Sequence, residues 1–96
     1  MTKVQNETLE NSIKTYVVEK TLLVCIEELS ELIQAITKME RYPDEKERYE
    51  NIIEEIADVV VGIQYLKKIY CITDNQINIQ IDKKITRQKI RMEGLN

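Results

Sequence analysis

The sequence has no histidine, tryptophan or phenylalanine, and only two glycines and one proline among its 96 residues. Without histidine the chain cannot supply the Glu-x-x-His pairs of a di-iron helical bundle. Because glycine and proline are scarce, long loops should be few, and helices are the economical interpretation. These absences predict an all-α fold in a single domain that covers residues 1–96.

The two cysteines, Cys25 and Cys71, each lie in an apolar segment. Their number and spacing suit neither a disulfide framework nor a CxxC metal site, so we expect reduced core residues. The first residues contain no apolar signal region, and no apolar run approaches the length of a membrane span. We therefore expect a cytoplasmic protein without a membrane partner.

The net charge of −3 is unevenly distributed. Residues 1–58 hold fourteen acidic and seven basic residues, whereas residues 59–96 hold three acidic and seven basic residues. The two parts could attract each other, or both could serve one polyanionic ligand. Because the whole chain is acidic and no aromatic residue interleaves with the basic ones, we do not expect nucleic acid as a partner.

The order of apolar and capping residues predicts four helices joined by short turns. The first covers about Glu7–Thr15 with Asn6 as its cap, and the second follows a bend near Val17 and runs to about Glu40. The third starts at Pro43 and runs to about Tyr70. The last begins at a capping box formed by Thr73 and Gln76, ends near Met92, and is followed by Gly94.

Two apolar stripes at helical spacing are the expected core. They comprise Leu22, Ile26, Leu29, Ile33 and Ile36 in the second helix, and Ile52, Ile56, Val59, Ile63 and Leu66 in the third. Together the helices predict an antiparallel four-helix bundle. Because a short chain buries a modest core, oligomerisation is also expected.

Acidic residues interrupt this pattern on two helices. Glu28 and Glu31 lie on a line with Val24 and Ala35 along the second helix. These acids belong either to a solvated charged face or to a surface that a neighbouring helix partly encloses. Glu55 falls almost on the apolar stripe of the third helix, and Asp58 lies one step outside it. A carboxylate at the edge of a core is costly unless it is paired, protonated or bound to a metal.

A divalent cation would resolve the conflict between these four carboxylates. Ligands that are all carboxylate oxygens favour Mg²⁺, or Mn²⁺, over zinc. Because magnesium held by few carboxylates commonly recruits phosphates, the acids indicate phosphate chemistry. Gly62, one turn after Asp58, suits either tight helix packing or room for a nucleotide. On the last helix, Lys84, Arg87 and Arg91 form a basic strip that is either a solvated face or a phosphate-binding surface.

The residues Glu27-Glu28-x-x-Glu31 and, about two dozen residues later, Glu54-Glu55-x-x-Asp58 resemble the paired motif of the MazG-like all-α nucleoside triphosphate pyrophosphohydrolases. The likeness extends from about Tyr16 to Met92. It implies hydrolysis of a nucleoside triphosphate to the monophosphate and pyrophosphate, with Mg²⁺ on Glu28, Glu31, Glu55 and Asp58. It also implies a homodimer or homotetramer, and Ile79 and Ile90 are candidates for that contact.

The mechanism that we expect is metal-assisted in-line attack by water. Glu27 or Glu31 would accept the proton from this water, and Lys84, Arg87 or Arg91 would neutralise the leaving pyrophosphate. Glu54 would lie outside the metal ligands, as would Glu27.

Two alternatives stay open from the sequence. One is a non-catalytic helical interaction or regulatory protein that keeps the acidic motif, and the other is a related hydrolase of the phosphoribosyl-ATP pyrophosphatase type. The five tyrosines are candidates for base stacking, although a place in the core or at its rim is the more ordinary interpretation.

Overall fold

The computed structural model describes residues 1–94, which form three helices and no strand. These are α1 (Lys3–Arg41), α2 (Lys46–Tyr70) and α3 (Asp74–Met92). The predicted all-helical class is confirmed. None of the three helices combines the length and the apolar character that a crossing of a lipid bilayer requires.

Helix α1 starts earlier than predicted because its cap is Thr2 and not Asn6. The Thr2 side chain accepts a hydrogen bond from the backbone N–H of Gln5, and the Gln5 side chain accepts one from the N–H of Thr2. This capping box satisfies backbone donors that a helix start leaves free. The start of α2 was also misplaced, since Pro43 lies in the preceding turn and Glu45 is the N-cap residue.

Other helix boundaries are as predicted. The capping box of Thr73 and Gln76 starts α3, which ends at Met92, and Gly94 follows with a positive φ of 70°. The bend expected in the first part of the chain is a break inside α1 at Val17, whose φ and ψ are 60° and 162°. The Thr21 hydroxyl donates a hydrogen bond to the Val17 carbonyl oxygen at 2.9 Å, which satisfies the polar group of this buried threonine.

Helices α1 and α2 pack against each other as an antiparallel hairpin. They approach closely at Gly62, whose carbonyl oxygen lies 3.6 Å from the Cys25 Sγ atom that donates to it. Nearer the N-terminus of α1, the Tyr65 hydroxyl donates to Ser12 Oγ at 3.0 Å. The two helices run in opposite directions, so residues further along α2 contact residues earlier in α1. This register brings the acidic segments of the two helices face to face.

The face of α1 that packs on α2 is not the predicted apolar stripe. The buried residues of α1 are Leu9, Thr21, Cys25 and Ala35. In contrast, Ile26, Leu29, Ile33 and Ile36 are 62%, 47%, 66% and 50% exposed. On α2, Ile56 and Ile63 are also exposed, and Gly62 is the buried residue. The prediction of this stripe as the core of a single chain was therefore wrong.

Helix α3 packs against neither α1 nor α2 and has no buried residue. One chain consequently does not close the predicted four-helix bundle, and within residues 1–94 the packed unit is the α1–α2 hairpin. An ion pair between Lys67 and Asp74 holds the junction of α2 and α3. Cys71 lies at this junction and is exposed, so its predicted place in the core was wrong, whereas Cys25 is buried as expected.

Candidate metal centre

Four carboxylates converge where α1 crosses α2. Glu28, Glu31, Glu55 and Asp58 each place one oxygen so that the four oxygens lie within 4.8 Å of one another. Each helix contributes two acids at a spacing of three residues, which puts both side chains on one face of the helix. The hairpin register then sets Glu28 beside Asp58 and Glu31 beside Glu55.

Burial sets this cluster apart from an ordinary acidic surface. Glu28 and Glu55 are half-buried, and each has one oxygen, Oε2, that is buried and has no hydrogen-bond partner. A buried oxygen without a partner loses its hydration and gains nothing in return. Glu31 and Asp58 are exposed and form the open side of the cluster. Solvent or a ligand can therefore reach the four oxygens from that side.

The electrostatics of the metal-free cluster are unfavourable for two of its charges. Burial raises the pKa of Glu28 to about 7, and the negative charges of Asp58 and Glu31 add to the effect. Burial also raises the pKa of Glu55, reinforced by the charges of Glu31 and Asp58. Both shifts arise because desolvation and like charges disfavour the ionised form.

No basic side chain compensates these charges in the part of the chain that the structure describes. The ion pairs there join Lys46 to Glu50, Arg48 to Glu45, Lys67 to Asp74, Lys68 to Glu10 and Lys89 to Glu93. A bound cation would satisfy the buried oxygens and remove the like-charge repulsion at once. The residues present therefore fit a hard divalent metal ion.

The other acids of the two motifs lie outside the cluster. Glu27 and Glu54 are exposed and neighbour Glu28 and Glu55 along the chain. The negative charge of Glu54 contributes to the raised pKa of Glu55, so this residue is close enough to influence the cluster. The position of Glu27 leaves it on the solvent side, within one residue of the half-buried Glu28.

The predicted basic strip is not brought to the cluster within one chain. Lys84, Arg87 and Arg91 lie on α3, which packs on neither helix of the hairpin, and all three are exposed. Lys84 instead borders an open depression on α3 itself, together with Ile77 and Ile81.

Gly62 lies directly beside the cluster. A Cβ atom added there would meet Cys25 Sγ at 3.7 Å, an ordinary contact, so the close approach of the helices does not require a glycine. A small cavity of about 100 Å³ borders this residue together with Glu28 and Asp58.

The sequence interpretation missed part of the surroundings. Ser12, Lys20 and Val24 line a second cavity with Tyr16 and Tyr65, next to the carboxylates. The tyrosines carried a signal as possible stacking residues, and Val24 carried one because it lies on a line with Glu28, Glu31 and Ala35. Ser12 and Lys20 carried none, because a serine and a lysine at helical spacing are typical of any amphipathic helix, and their shared cavity depends on the packing of α2.

Comparison with known proteins gives one match. The family model described as the MazG nucleotide pyrophosphohydrolase domain matches residues 17–92, which include all four clustered acids. No curated protein and no solved structure matched the chain. Members of this family are metal-dependent nucleotide pyrophosphohydrolases, and the acidic cluster could hold the metal ion. Because this family model matches most of the chain, the chain belongs to the MazG nucleotide pyrophosphohydrolase family.

Proposed function

We propose that this protein hydrolyses a nucleoside or deoxynucleoside triphosphate to the monophosphate and pyrophosphate, with Mg²⁺ bound by Glu28, Glu31, Glu55 and Asp58. The observation that carries the proposal is the convergence of the four carboxylates, two of which hold a buried oxygen without a hydrogen-bond partner. A protein that used these acids only as a solvated surface would have no reason to desolvate them.

The choice of Mg²⁺ follows from the donor atoms. All four groups are carboxylates, and the chain has no histidine. Such hard oxygen donors suit Mg²⁺, with Mn²⁺ as a substitute. When bound, the metal would polarise the phosphates, offset their charge and make water a better nucleophile.

Other steps of the reaction depend on the side chains around the metal ion. Glu27 or Glu31 accepts the proton of the attacking water, because both acids lie on the solvent side of the cluster. Glu28 and Glu55, from opposite helices, hold the metal ion between α1 and α2, whose close approach is set by the contact of Cys25 with Gly62. Tyr65 and Val24 border the cavity that adjoins the cluster on one side.

The positive charge for the leaving pyrophosphate comes from Lys84, Arg87 or Arg91 of a second copy of the chain. In one chain these residues lie on a helix that packs on neither α1 nor α2, although most of the stability of a helix in a protein comes from tertiary packing. The exposed apolar stripe of α1 offers that helix a surface, and the acidic hairpin attracts a basic partner. We therefore include a homodimer or homotetramer in the proposal.

Pyrophosphate release from a panel of nucleotides, with and without Mg²⁺, tests the proposal directly. The panel includes the canonical ribo- and deoxyribonucleoside triphosphates, modified nucleotides and phosphoribosyl-ATP. We expect release that requires Mg²⁺ or Mn²⁺ and a melting temperature that rises with Mg²⁺. A non-catalytic interaction protein would give neither result.

The variant Glu55→Gln should abolish release from every nucleotide, because an amide cannot replace a charged ligand. The metal-free variant should melt at or above the temperature of the wild type, since it loses a like charge next to Glu31 and Asp58. Glu47→Gln, an exposed acid on the same helix, is the matched control and should keep full activity. Turnover by Glu55→Gln would refute the proposed site.

A further inference from the structure

Two cavities adjoin beside the carboxylate cluster. The larger, about 180 Å³, is lined by Ser12, Tyr16, Lys20, Thr21, Val24 and Tyr65. The smaller, about 100 Å³, has Glu28 and Asp58 in its wall and shares Val24 and Tyr65 with the larger one. Because Val24 and Tyr65 border both spaces, the larger cavity lies next to the one that contains the acids.

The chemistry of the larger cavity suits a flat aromatic ring. Its wall carries the rings of Tyr16 and Tyr65, and the hydrogen bond from the Tyr65 hydroxyl to Ser12 Oγ holds the second ring in place. Aromatic side chains of this kind stack on nucleobases. The Thr21 hydroxyl is already used by the Val17 carbonyl, so the threonine contributes bulk to the wall and no free donor.

Lys20 supplies the charged group of this cavity. None of the ion pairs found in residues 1–94 involves Lys20, so its ammonium group is available as a donor. An ammonium group donates hydrogen bonds and accepts none. The cavity therefore favours a ring that presents an acceptor, such as a carbonyl oxygen or an unprotonated ring nitrogen.

The break in α1 lies next to Tyr16, one of the residues that line this cavity. Val17 has φ 60° and ψ 162°, a conformation that is nearly confined to glycine. It directly follows Tyr16, which is 59% exposed at the rim. A β-branched residue held in this conformation is a strained feature, and such features concentrate at ligand sites.

We propose that this cavity is the nucleoside subsite of the enzyme: the base stacks on Tyr16 and Tyr65, Lys20 donates to an acceptor of the base, and the phosphates extend past Val24 towards Glu28 and Asp58. The inference rests on the proposed function for the identity of the ligand. At 180 Å³ the cavity is smaller than the roughly 300 Å³ at which pockets begin to enclose a whole drug-sized ligand, so it takes the base and not the entire nucleotide.

The helix geometry gives the right separation between the two ends of the ligand. Lys20 and Glu28 are eight residues apart on the unbroken part of α1, which corresponds to about 12 Å along the helix axis. The ribose and the first phosphates span this gap. The base and the reacting phosphate thus occupy two sites on one face of one helix.

Equilibrium binding tests the subsite independently of turnover. The probes are α,β-methylene nucleoside triphosphates of the common bases, titrated in the presence of Mg²⁺ into the full chain and followed by calorimetry. Because the sequence has tyrosine but no tryptophan, quenching of tyrosine emission reports stacking in the same samples. The variants are Tyr16→Ala and Lys20→Met, and the matched control is Tyr49→Ala, which removes an equally exposed ring (60%) far from the cavity.

We expect Tyr16→Ala to weaken binding at least about fivefold, the lower limit of what a lost base–aromatic stack costs, and to reduce the quenching. Lys20→Met removes the ammonium donor, so nucleotides with different bases should bind this variant with more similar Kd values than they bind the wild type. In turnover, both changes should raise KM more than they lower kcat, whereas Tyr49→Ala should match the wild type.

The outcomes separate this inference from the proposed function. If the wild type releases pyrophosphate but both variants bind like Tyr49→Ala, the subsite is wrong and the function stands. If the wild type shows no turnover but binds the probes in a Tyr16-dependent way, the subsite stands and the hydrolysis is wrong. If the wild type neither binds nor hydrolyses any nucleotide, both are overturned. Should Tyr16→Ala fail to fold, Lys20→Met gives the same decision.

Discussion

Glu28 and Glu55 each keep a carboxylate oxygen buried without a hydrogen-bond partner. The packing of Cys25 on Gly62, one turn away, fixes the register that buries them. A native protein rarely leaves such groups unsatisfied unless they bind something. The cost of this arrangement in the metal-free state is therefore measurable.

The metal-free protein should lose stability as the pH rises from 4.5 to about 7. The pKa of Glu28 rises from 4.5 to about 7 on folding, because of burial and of the charges of Asp58 and Glu31. The folded state thus binds this proton more tightly than the unfolded state, so the stabilising contribution is complete below pH 4.5 and is lost as the pH passes through the folded pKa. Melting temperatures in EDTA across this range measure the effect.

Mg²⁺ should reverse this trend, because the metal binds the ionised carboxylates and gains affinity as they lose their protons. The variant Glu28→Gln is the control and should flatten most of the slope, leaving the part due to Glu55. Pairing with Lys67 lowers the pKa of Asp74 from its ordinary value of 3.8. This shift changes the stability only below about pH 3.8, so it does not affect the slope between pH 4.5 and pH 7. A metal-free melting temperature that rises steadily between pH 4.5 and pH 7 would contradict the prediction.

At the scale of the residue, the sequence indicated the site where a charged side chain interrupted an apolar pattern. Glu55 could be singled out because a carboxylate almost on an apolar stripe needs an explanation, and it lies in the cluster. Ser12 and Lys20 could not be singled out, because a polar residue on a partly exposed helix needs none. Their common cavity arises only from tertiary packing.

At the scale of the helix, local signals set most of the boundaries. The capping box of Thr73 and Gln76 and the end at Met92 depend on neighbouring residues, and both were predicted correctly. The apolar stripe of α1 was misassigned for a different reason. Periodicity identifies the apolar face of a helix but not what covers it. The hairpin instead buries the line that contains Cys25 and Ala35, where small side chains permit close approach.

The break at Val17 should make glycine favourable at this position. A β-branched residue at φ 60° and ψ 162° costs about 1–3 kcal/mol, whereas glycine adopts this conformation without strain and loses about 0.5–1 kcal/mol of chain entropy. We expect Val17→Gly to raise the free energy of unfolding by about 1 kcal/mol in urea denaturation. The matched variant Val18→Gly, in regular helix, should lower it by a similar amount.

Equal destabilisation by the two glycine variants would mean that α1 is continuous through Val17 in solution. That result would also remove the support that the break lends to the proposed subsite, since Tyr16 then would not be held at a helix end. The pair of variants therefore links a measurement of stability to the geometry of the site.

At the scale of the molecule, one chain leaves much apolar surface exposed. Its packed unit is a two-helix hairpin, α3 packs on neither of the other helices, and the apolar stripe of α1 and Ile79, Ile81 and Ile85 of α3 are exposed. The bundle that the sequence predicted would cover these surfaces, and under the proposed oligomer its helices come from more than one chain. A single sequence carries no signal that separates contacts within a chain from contacts between chains.

The apolar stripe of α1 should form the contact between copies, and Ile33 is the residue that tests it. This isoleucine is 66% exposed in one chain, and its burial in an interface contributes about 1.5–3 kcal/mol. A symmetric contact contains the residue twice, so Ile33→Glu should raise the Kd of the dimer by at least about a hundredfold. Analytical ultracentrifugation over a range of concentrations measures this change. Val4→Glu, at a residue 71% exposed in the first turn of α1, is the control and should leave the assembly intact. A wild type that sediments as a monomer at every concentration would show that the basic strip of α3 never reaches the carboxylates of another copy.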